Sequence, residues 1–386
     1  MKISKRALEI EPSLGRQLFN MAQMYDDVVD LTLGDPDLKP SDKIRKAACE
    51  AIMEGKTRYS ANKGLIELRT HIADSFKIEY GLKADPDTDV MVTVGGMEGL
   101  YLAIACIIDE GDEVIIQAPY YANYVQMVKM CGGIPKIIYT AEEDGFKITA
   151  EQLNKALSNR TVALIINTPS NPTGQVLDAK TLDLVADFAI KNNLIVISDE
   201  VYRTLIYDGK KYDSIITRAG MQRRTVLVDS MSKRYSMTGY RLGYVIASAD
   251  LVECMSKMQE NIAACASLPS QYAAIAAISE CSDEISNVRE YEKRRDYIVD
   301  AINSIDMLSC KKPEATFYLF VNISKTDMNC IDFAYKLLEA QHVAVVPGVI
   351  YGAKYSDYIR IAFTVGIEKL KIAVNRISKF IDSIRK

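Results

Sequence analysis

The sequence contains few of the residues on which metal-dependent and triad-based hydrolysis usually depend. Its 386 residues include only two histidines, His71 and His342, and its eight cysteines form no C-x-x-C pair of the kind that binds zinc. These absences argue against a metal site and against a histidine-based triad. Dispersed cysteines in a cytoplasmic chain are usually small apolar fillers. Any chemistry must then depend on lysine, tyrosine, aspartate or a cofactor.

The sequence also lacks long apolar runs and a marked excess of either charge. No apolar stretch reaches the roughly 18 residues that a membrane-spanning helix needs. The N-terminal MKISKRALEIEPSLG lacks the apolar core of a secretory signal. Lysine and arginine number 47 against 51 aspartates and glutamates, and the basic residues are scattered. We therefore expect a cytoplasmic protein that binds neither nucleic acid nor membranes.

Short apolar runs alternate with helical patterns along the middle of the chain. Several of these runs are apolar almost throughout, as expected for strands that are covered on both faces. The predicted strands are residues 90–94, 112–118, 136–140, 162–167, 194–199, 225–230 and 242–247. This alternation predicts an α/β fold with a mainly parallel sheet between layers of helices.

The pattern changes after about residue 285, where a charged helical stretch leads into shorter strands and two further helices. This change indicates a smaller α+β domain. We predict that residues 1–47 form an N-terminal segment and part of the small domain. Residues 48–285 are then the large ligand-binding domain, and 286–386 the small C-terminal domain.

Ligands of open α/β sheets bind beyond the carboxyl ends of the strands, so the residues that follow each predicted strand are candidates for a site. Gly95 and Gly96 follow the strand at 90–94 and open a helix. This arrangement suits an anion, but it is also a common turn. Tyr121 follows the strand at 112–118, where its ring can belong to the core or stack on a planar ligand.

Two further predicted strands end in polar side chains. Asn171 lies in the rigid turn TPSNPTG, and its side-chain amide can donate to a ligand oxygen. Asp199 ends the next strand, and Tyr202 follows it by three residues. The carboxylate of Asp199 either caps a helix or, if it is buried, requires a cationic partner.

Lys233 and Arg241 follow the strand at 225–230, in a run of hydroxyls, aromatics and glycines that also suits a surface loop. Together the strand ends supply a phosphate-type turn, an aromatic ring, an amide, a carboxylate with a tyrosine, and a lysine with an arginine. This set fits a planar cationic heteroaromatic ligand that bears a phosphate and is held covalently by the lysine. Pyridoxal 5′-phosphate has all of these properties.

Several motifs also occur in an order that is typical of one enzyme family. They are LGDPD, TRYSANKGLIELR, VTVGGMEG, PYYANY, NTPSNPTG, SDEVY, SMSKRYSMTGYRLG and YIRIAF. From about residue 10 to its end, the chain closely resembles the class I/II aminotransferases, fold-type I enzymes that use pyridoxal 5′-phosphate. The resemblance implies transfer of an amino group from an L-amino acid to a 2-oxo acid, 2-oxoglutarate or pyruvate, by a ping-pong mechanism. It also implies a homodimer with shared active sites.

The resemblance assigns a role at the cofactor ring to each of five residues. Lys233 would hold the cofactor covalently and then move a proton during catalysis. Asp199 would pair with the pyridine nitrogen, and Tyr202 and Asn171 would bond to the ring oxygen. Tyr121 would stack on the ring. Lys233, Asp199 and Tyr202 are therefore the expected catalytic residues.

Further residues are assigned by the same resemblance to the phosphate, the substrate and the neighbouring subunit. The expected phosphate ligands are Gly95, Gly96, Met97, Ser230, Ser232 and Arg241. Tyr59 would reach the phosphate of the neighbouring subunit. Arg360 and Gly34, beside Tyr121 and Asn171, would bind the substrate, with Arg360 on the α-carboxylate. No metal is expected.

The substrate is less clearly indicated than the cofactor. Met97 stands where one bacterial aspartate aminotransferase subgroup has a lysine, which favours broad specificity with neutral or aromatic donors. Tyr124 and the tyrosines at 351 and 355 would add apolar surface. Tyr355 itself stands where relatives often have glycine, and PEATFY replaces the frequent PKGAFY. The alternatives are an aspartate aminotransferase proper, a carbon–sulfur β-lyase with the same cofactor, and a non-catalytic binding protein on the same fold.

Overall fold

A computed structural model describes residues 2–12, 14–281 and 286–385 of the chain. Within these ranges the helices are α1 (Lys5–Leu8), α2 (Leu14–Ala22), α3 (Asp42–Met53), α4 (Ile66–Tyr80), α5 (Gly95–Ile107), α6 (Asn123–Met130), α7 (Ala150–Ala156), α8 (Ala179–Lys191), α9 (Met231–Arg234), α10 (Ala249–Ile262), α11 (Leu268–Glu280), α12 (Ser286–Asn303), α13 (Cys330–Gln341) and α14 (Ile367–Ile384). The strands in the same ranges are β1 (Val29–Asp30), β2 (Val90–Thr93), β3 (Glu113–Ala118), β4 (Ile134–Tyr139), β5 (Thr161–Asn167), β6 (Ile195–Asp199), β7 (Thr225–Ser230), β8 (Gly243–Ile246), β9 (Ser309–Cys310), β10 (Tyr318–Asn322), β11 (Val343–Ala344), β12 (Val346–Pro347) and β13 (Tyr358–Ala362). The predicted domain boundary at residue 285 lies outside the described residues.

The large sheet of the described chain has the strand order β2-β8-β7-β6-β5-β3-β4. The run from β7 to β4 is parallel, whereas β8 is antiparallel to both of its neighbours, β2 and β7. Every strand predicted from the sequence lies in this sheet, and the observed ends differ from the predicted ones by two residues at most. The prediction of a mainly parallel α/β sheet is therefore confirmed.

Helices cover both faces of this sheet because its strands are apolar on both faces. Along β5, Ala163 and Ile165 pack in one cluster with residues of α5 and α6. Leu164 and Ile166 point to the opposite face and pack with residues of α8. All four side chains are at most 1% exposed. Burying a side chain of the size of leucine or isoleucine contributes roughly 1.5–3 kcal/mol, so neither layer of helices is dispensable.

The connection from β7 to β8 is short and lies at the carboxyl end of β7. Residues 231–242 contain only α9 and a 3₁₀ turn at Thr238–Tyr240. No helix long enough to cross the sheet is present there, so β8 returns antiparallel beside β7. Gly243 of β8 lies opposite Ser230 of β7, and a Cβ at Gly243 would be 2.5 Å from the Gly96 nitrogen. The absence of that Cβ lets the connection pack closely against the start of α5.

The smaller domain is built around an antiparallel sheet with the strand order β12-β13-β10-β9. A second, parallel pair joins β1 to β11, with Val29 opposite Val343. Helices α12 and α13 each pack against α14, and Phe333 meets Phe380 edge-on at 5.2 Å between ring centroids. No helix in the described ranges is long and apolar enough to span a membrane.

Candidate active site

A cavity of about 750 Å³ lies at the carboxyl edge of the large sheet. Its wall is formed by strand ends of the large sheet together with β10, β13 and the segment that follows β1. The predicted site residues that line it are Gly34, Gly96, Met97, Tyr121, Asn171, Asp199, Tyr202, Ser230, Ser232, Lys233, Arg241 and Arg360. Gly95 and Tyr59 are the predicted site residues that the wall does not include.

Lys233 lies in the short helix α9, just beyond the end of β7. Ser230 caps this helix, because its hydroxyl accepts a hydrogen bond from the Ser232 backbone nitrogen at 3.1 Å. The Lys233 Nζ donates to the Gly34 carbonyl oxygen at 2.7 Å. Burial lowers the pKa of Lys233 to about 8, against the raising effect of Asp35 and with a further lowering effect of Arg241. An amine with this pKa is partly unprotonated near neutrality, as a nucleophile and proton acceptor must be.

Asp199 ends β6 and is only 3% exposed. Its carboxylate accepts a hydrogen bond from the Tyr124 hydroxyl and another from the Val201 backbone nitrogen at 3.3 Å. Burial raises the pKa of Asp199 to about 6, although both of these hydrogen bonds lower it. No ion pair engages this carboxylate among the residues that the structure describes. A buried anion of this kind needs a cationic partner, and a protonated pyridine nitrogen has the required charge.

The start of α5 and the β7–β8 connection together form a cradle that suits a phosphate. Gly95 has a φ of +73°, and a Cβ at this position would lie 2.6 Å from the Arg241 Nη2. Only glycine therefore lets this guanidinium approach the first turn of α5, where backbone N–H groups are free. The Ser230 and Ser232 hydroxyls, 2.9 Å apart, also line the cavity. Gly95 does not line the cavity itself, but its missing Cβ makes room for the Arg241 guanidinium that does.

Tyr202 and Asn171 are held by neighbours that belong to the small domain. The Tyr202 and Tyr318 hydroxyls are 2.9 Å apart. Burial raises the pKa of Tyr202 well above its usual value, so its hydroxyl keeps its proton and can donate a hydrogen bond. The Asn171 Oδ1 accepts a hydrogen bond from the Arg360 Nη1 at 3.3 Å. These contacts leave the Asn171 amide nitrogen available as a donor.

Arg360 of β13 presents a buried cation to the cavity, since its side chain is only 6% exposed. Its Nη2 donates to the Thr32 carbonyl oxygen, and its guanidinium lies 4.3 Å from the centroid of the Tyr318 ring. Its Nε has no hydrogen-bond partner within the described part of the chain. A buried guanidinium with an unpaired N–H and no anionic partner is suited to a carboxylate.

Known proteins match this chain along almost its whole length. The family model for aminotransferase class I and II matches residues 26–377.

The chain belongs to the class I and II aminotransferases.

Relatives of this aminotransferase are named for two kinds of substrate. The chain is 37% identical to aromatic-amino-acid aminotransferase 2 of Thermococcus litoralis over 384 residues, covering 98% of both chains. It is 38% identical to the aspartate aminotransferase of Pyrococcus abyssi over 382 residues, again covering 98% of both chains. Among solved structures, the aromatic aminotransferase of Pyrococcus horikoshii OT3 superposes with a TM-score of 0.90 and 37% identity, covering 95% of this chain and 99% of that one. The aspartate aminotransferase of Thermus thermophilus with maleate gives 0.93 and 30%, covering 98% and 99%.

The aminotransferase is therefore a pyridoxal phosphate-dependent transaminase, as the sequence predicted. The buried anion of Asp199, the amine of Lys233 and the cradle beside Arg241 fit the ring, the aldehyde and the phosphate of this cofactor. When bound, pyridoxal phosphate supplies an electron sink for the electrons left at the substrate Cα.

Several residues around this cavity were not predicted, or were predicted in another place. Tyr124, expected to add apolar surface for the substrate, instead donates a hydrogen bond to Asp199. Tyr351 does line the cavity, but Tyr355 does not, because its hydroxyl turns away to the Thr140 carbonyl oxygen at 2.8 Å. The only sequence signal for Tyr124 was its position three residues after Tyr121, one helical turn away.

Two charged residues of the N-terminal segment, Arg16 and Asp35, also line the cavity. Asp35 belongs to the LGDPD motif, but neither residue was predicted to lie at the site. Tyr59, by contrast, is 86% exposed and lies outside the cavity wall of the single subunit. Its predicted contact with the phosphate of a neighbouring subunit stays a prediction.

Proposed function

We propose that this aminotransferase takes its amino group from L-amino acids with neutral or aromatic side chains. The main support is the apolar character of the cavity around Met97. The sulfur of Met97 accepts a hydrogen bond from the Tyr121 hydroxyl at 3.5 Å and faces the Asn123 amide at 3.7 Å. Ile350 and Tyr351 line the same cavity. A flexible thioether among aromatic and aliphatic side chains accommodates apolar groups of different sizes.

Each catalytic residue has a role that follows from its chemistry. Lys233 accepts the proton from the substrate Cα at its Nζ and delivers it again, since its lowered pKa leaves a free lone pair near neutrality. Asp199 holds the pyridine nitrogen in its protonated form through opposite charge. Tyr202 donates a hydrogen bond to the ring oxygen, and Asn171 supports it with its amide. Tyr121 stacks on the ring.

Binding of the phosphate and the substrate is assigned in the same way. Arg241, Ser230 and Ser232 hold the phosphate together with the backbone nitrogens of Gly96 and Met97. Arg360 binds the α-carboxylate of the amino acid bidentately, beside the backbone of Gly34 and with Asn171 and Tyr121 nearby. Because this carboxylate is common to all amino acids, Arg360 fixes orientation and does not select the side chain.

The proposed reaction is ping-pong: the amino group first passes to the enzyme, and 2-oxoglutarate or pyruvate then accepts it. We further propose a homodimer in which Tyr59 completes the site of the neighbouring subunit. The exposed position of Tyr59 supports this assembly, because an 86% exposed tyrosine is suited to contact with a second chain. The expected location is the cytoplasm.

One observation favours aspartate as a second candidate donor. Arg16 of α2 lines the same cavity as Met97, and its guanidinium lies 4.7 Å from the centroid of the Phe19 ring. A cation at the mouth of the cavity can attract the distal carboxylate of aspartate. The proposal of a neutral or aromatic donor therefore requires that the apolar surface around Met97 stabilises bound apolar side chains more than Arg16 stabilises a bound distal carboxylate.

Steady-state specificity tests the proposal directly. We expect kcat/KM for phenylalanine and methionine to equal or exceed the value for aspartate, with 2-oxoglutarate as the common acceptor. A preference for aspartate above roughly 100-fold, worth about 2.7 kcal/mol at the transition state, would contradict the proposal. The variant Arg16→Ala separates the two candidates, because among the donors it lowers kcat/KM only for aspartate if Arg16 binds the distal carboxylate.

The absorption spectrum of the purified protein tests the reaction type. Addition of an amino donor alone should shift the visible band of the bound cofactor, and addition of an oxo acid should restore it. Release of pyruvate, ammonia and thiol from cystathionine without an added oxo acid would instead indicate a β-lyase.

A further inference from the structure

The loop at residues 33–37 approaches Lys233 from the N-terminal segment. Its Gly34 carbonyl oxygen accepts a hydrogen bond from the Lys233 Nζ at 2.7 Å. One residue further on, the Asp35 Oδ1 accepts a hydrogen bond from the Thr238 hydroxyl at 2.7 Å. The loop is therefore joined at two adjacent residues to the β7–β8 connection that carries Lys233.

The other end of this loop is joined to the small domain. The Thr364 hydroxyl donates to the Leu33 carbonyl oxygen at 3.1 Å, and the Arg294 Nη1 donates to the Asp37 Oδ1 at 2.8 Å. These contacts hold the loop on both sides of Asp35. The position of the Asp35 carboxylate is thus fixed by the surrounding structure, even though the side chain itself is exposed.

The charge of Asp35 faces the cavity without a counter-ion. Asp35 and Thr238 both line the cavity wall, and no ion pair engages Asp35 in the part of the chain that the structure describes. The other charged groups that act on Lys233 are Arg241 beyond α9, Arg360 on β13 and Asp199 on β6. In the proposed function Arg241 binds the phosphate, Arg360 the substrate carboxylate and Asp199 the cofactor nitrogen. Asp35 is therefore the one of these four charged groups that no proposed ligand contact engages.

We propose that Asp35, held at the cavity wall by Thr238, is a positioning residue that stabilises the protonated form of the Lys233 side-chain nitrogen. This inference rests on the proposed role of Lys233 as the group that carries the proton. When the Nζ lone pair takes the proton from the substrate Cα, the nitrogen becomes cationic. The negative charge of Asp35 favours this protonated form until the proton is delivered. The Gly34 carbonyl oxygen gives the same nitrogen a fixed acceptor.

The pH dependence of the bound cofactor's visible absorption tests this role without measuring turnover. In Asp35→Asn, the midpoint of the absorption change should move to lower pH by roughly half a unit to one unit, because an anion that favours the protonated nitrogen is lost. In Thr238→Val, which keeps the charge but frees the carboxylate, a smaller shift in the same direction is expected. Asp35→Glu should restore most of the wild-type midpoint.

Two controls distinguish a local effect from a general one. Asp42→Asn removes the same charge from a side chain that is 91% exposed and lies outside the cavity, and it should leave the midpoint unchanged. Raising the salt concentration should reduce the difference between wild type and Asp35→Asn, since exposed charges are screened. A midpoint in Asp35→Asn that equals the wild-type value at low salt would overturn the proposal.

A second measurement keeps this test separate from the proposed function. In the full-length protein freed of cofactor, the rate at which an amine-selective reagent modifies Lys233 is followed against pH by mass spectrometry. The midpoint should again fall in Asp35→Asn and stay constant in Asp42→Asn. If the protein binds no cofactor, the proposed function is wrong. The labelling measurement still shows whether Asp35 affects the protonation of Lys233, because it uses the protein without cofactor. An unchanged labelling midpoint in Asp35→Asn would overturn the effect even if the enzyme is an active transaminase.

Discussion

In the proposed function Lys233 combines two roles at one atom, because the nitrogen that would hold the cofactor would also move the proton. Lys233→Ala should therefore lower kcat by at least ~10⁴-fold and abolish the visible band of the covalently held cofactor. Single-turnover spectroscopy with phenylalanine measures both effects. Lys257→Ala is a matched control, because its amine lies on the surface of α10 beside Glu253. Transamination at the wild-type rate in Lys233→Ala would refute the assignment.

The raised pKa of Asp199 predicts how the affinity for the cofactor depends on pH. Its pKa is raised by burial to about 6, so the carboxyl gains a proton as the pH falls through 6 and loses the charge that pairs with the pyridine nitrogen. Cofactor affinity of the cofactor-free protein should therefore decrease below about pH 6, as measured by fluorescence titration between pH 5 and 8. In Asp199→Asn the affinity should be low throughout, without this step.

The Tyr124 hydroxyl provides a more selective test of the same carboxylate. Its hydrogen bond lowers the pKa of Asp199 against the effect of burial. Tyr124→Phe keeps the ring and removes only that donor, so the pH step in cofactor affinity should move to higher pH. A step that stays at the wild-type pH would show that Tyr124 does not tune Asp199.

These residues also show which parts of the site the sequence could predict. Asp199 ends a predicted strand, and Lys233 and Arg241 lie in the short connection after the strand at 225–230. Parallel strands bring their carboxyl ends to one edge of the sheet. Asp35 and Arg16 meet the same cavity from the N-terminal segment, about 200 residues away from Lys233 along the chain. Their positions depend on how the small domain packs against the large one. The LGDPD motif marks the segment of Asp35, but nothing in either segment indicates that these side chains reach the cavity.

At the level of elements, strands buried on both faces were the most predictable features. The runs that form β5, β6 and β7 are almost wholly apolar, and their predicted ends agree with the structure to within one residue. The antiparallel direction of β8 was not predicted, because its sequence is as apolar as that of its parallel neighbours. Its direction follows from the short connection after β7. That connection also carries Lys233 and Arg241. The same short segment therefore sets the antiparallel direction of β8 and places these two residues at the cavity.

The contact between α5 and Arg241 yields a prediction at this scale. Gly95→Ala adds a Cβ that would lie 2.6 Å from the Arg241 Nη2, so the guanidinium must move away from the start of the helix. We expect cofactor affinity to fall by at least about 10-fold, since a bidentate charged contact to the phosphate is disturbed. Titration of the cofactor-free protein with pyridoxal phosphate measures this change.

Gly81 offers a matched control for the backbone strain of that substitution. Its φ is +70°, close to the +73° of Gly95, but nothing lies within 4 Å of a Cβ at Gly81. Both alanine variants should lose about 1 kcal/mol of stability from the left-handed backbone. Only Gly95→Ala should also lose cofactor affinity. Equal affinity in the two variants would show that Arg241 does not need the space above Gly95.

At the scale of the whole molecule, residues of both the large sheet and the antiparallel sheet line the cavity. The large sheet supplies Lys233 and Asp199, while β13 of the small domain supplies Arg360. The domain boundaries near residues 47 and 285 stay a prediction. In the proposed function the large sheet therefore supplies the groups that bind the cofactor, and the antiparallel sheet supplies the arginine that binds the substrate.

The proposed homodimer predicts that activity depends on how two substitutions are distributed between subunits. In a heterodimer of one Lys233→Ala subunit and one Tyr59→Ala subunit, one site is complete. This site lies in the Tyr59→Ala subunit, which has its own Lys233 and receives Tyr59 from its neighbour. We expect this dimer, purified with two different tags, to retain about half of the wild-type kcat at cofactor concentrations that leave the Tyr59→Ala homodimer unsaturated.

The control is the reciprocal dimer, in which both substitutions lie in one subunit and the other subunit is wild type. If Tyr59 acts in the neighbouring site, every site of this dimer lacks one of the two residues. The two dimers have identical composition, and general destabilisation therefore affects them equally. Equal activity in both arrangements would show that Tyr59 has no role at either site, and higher activity in the reciprocal dimer would show that Tyr59 acts within its own subunit.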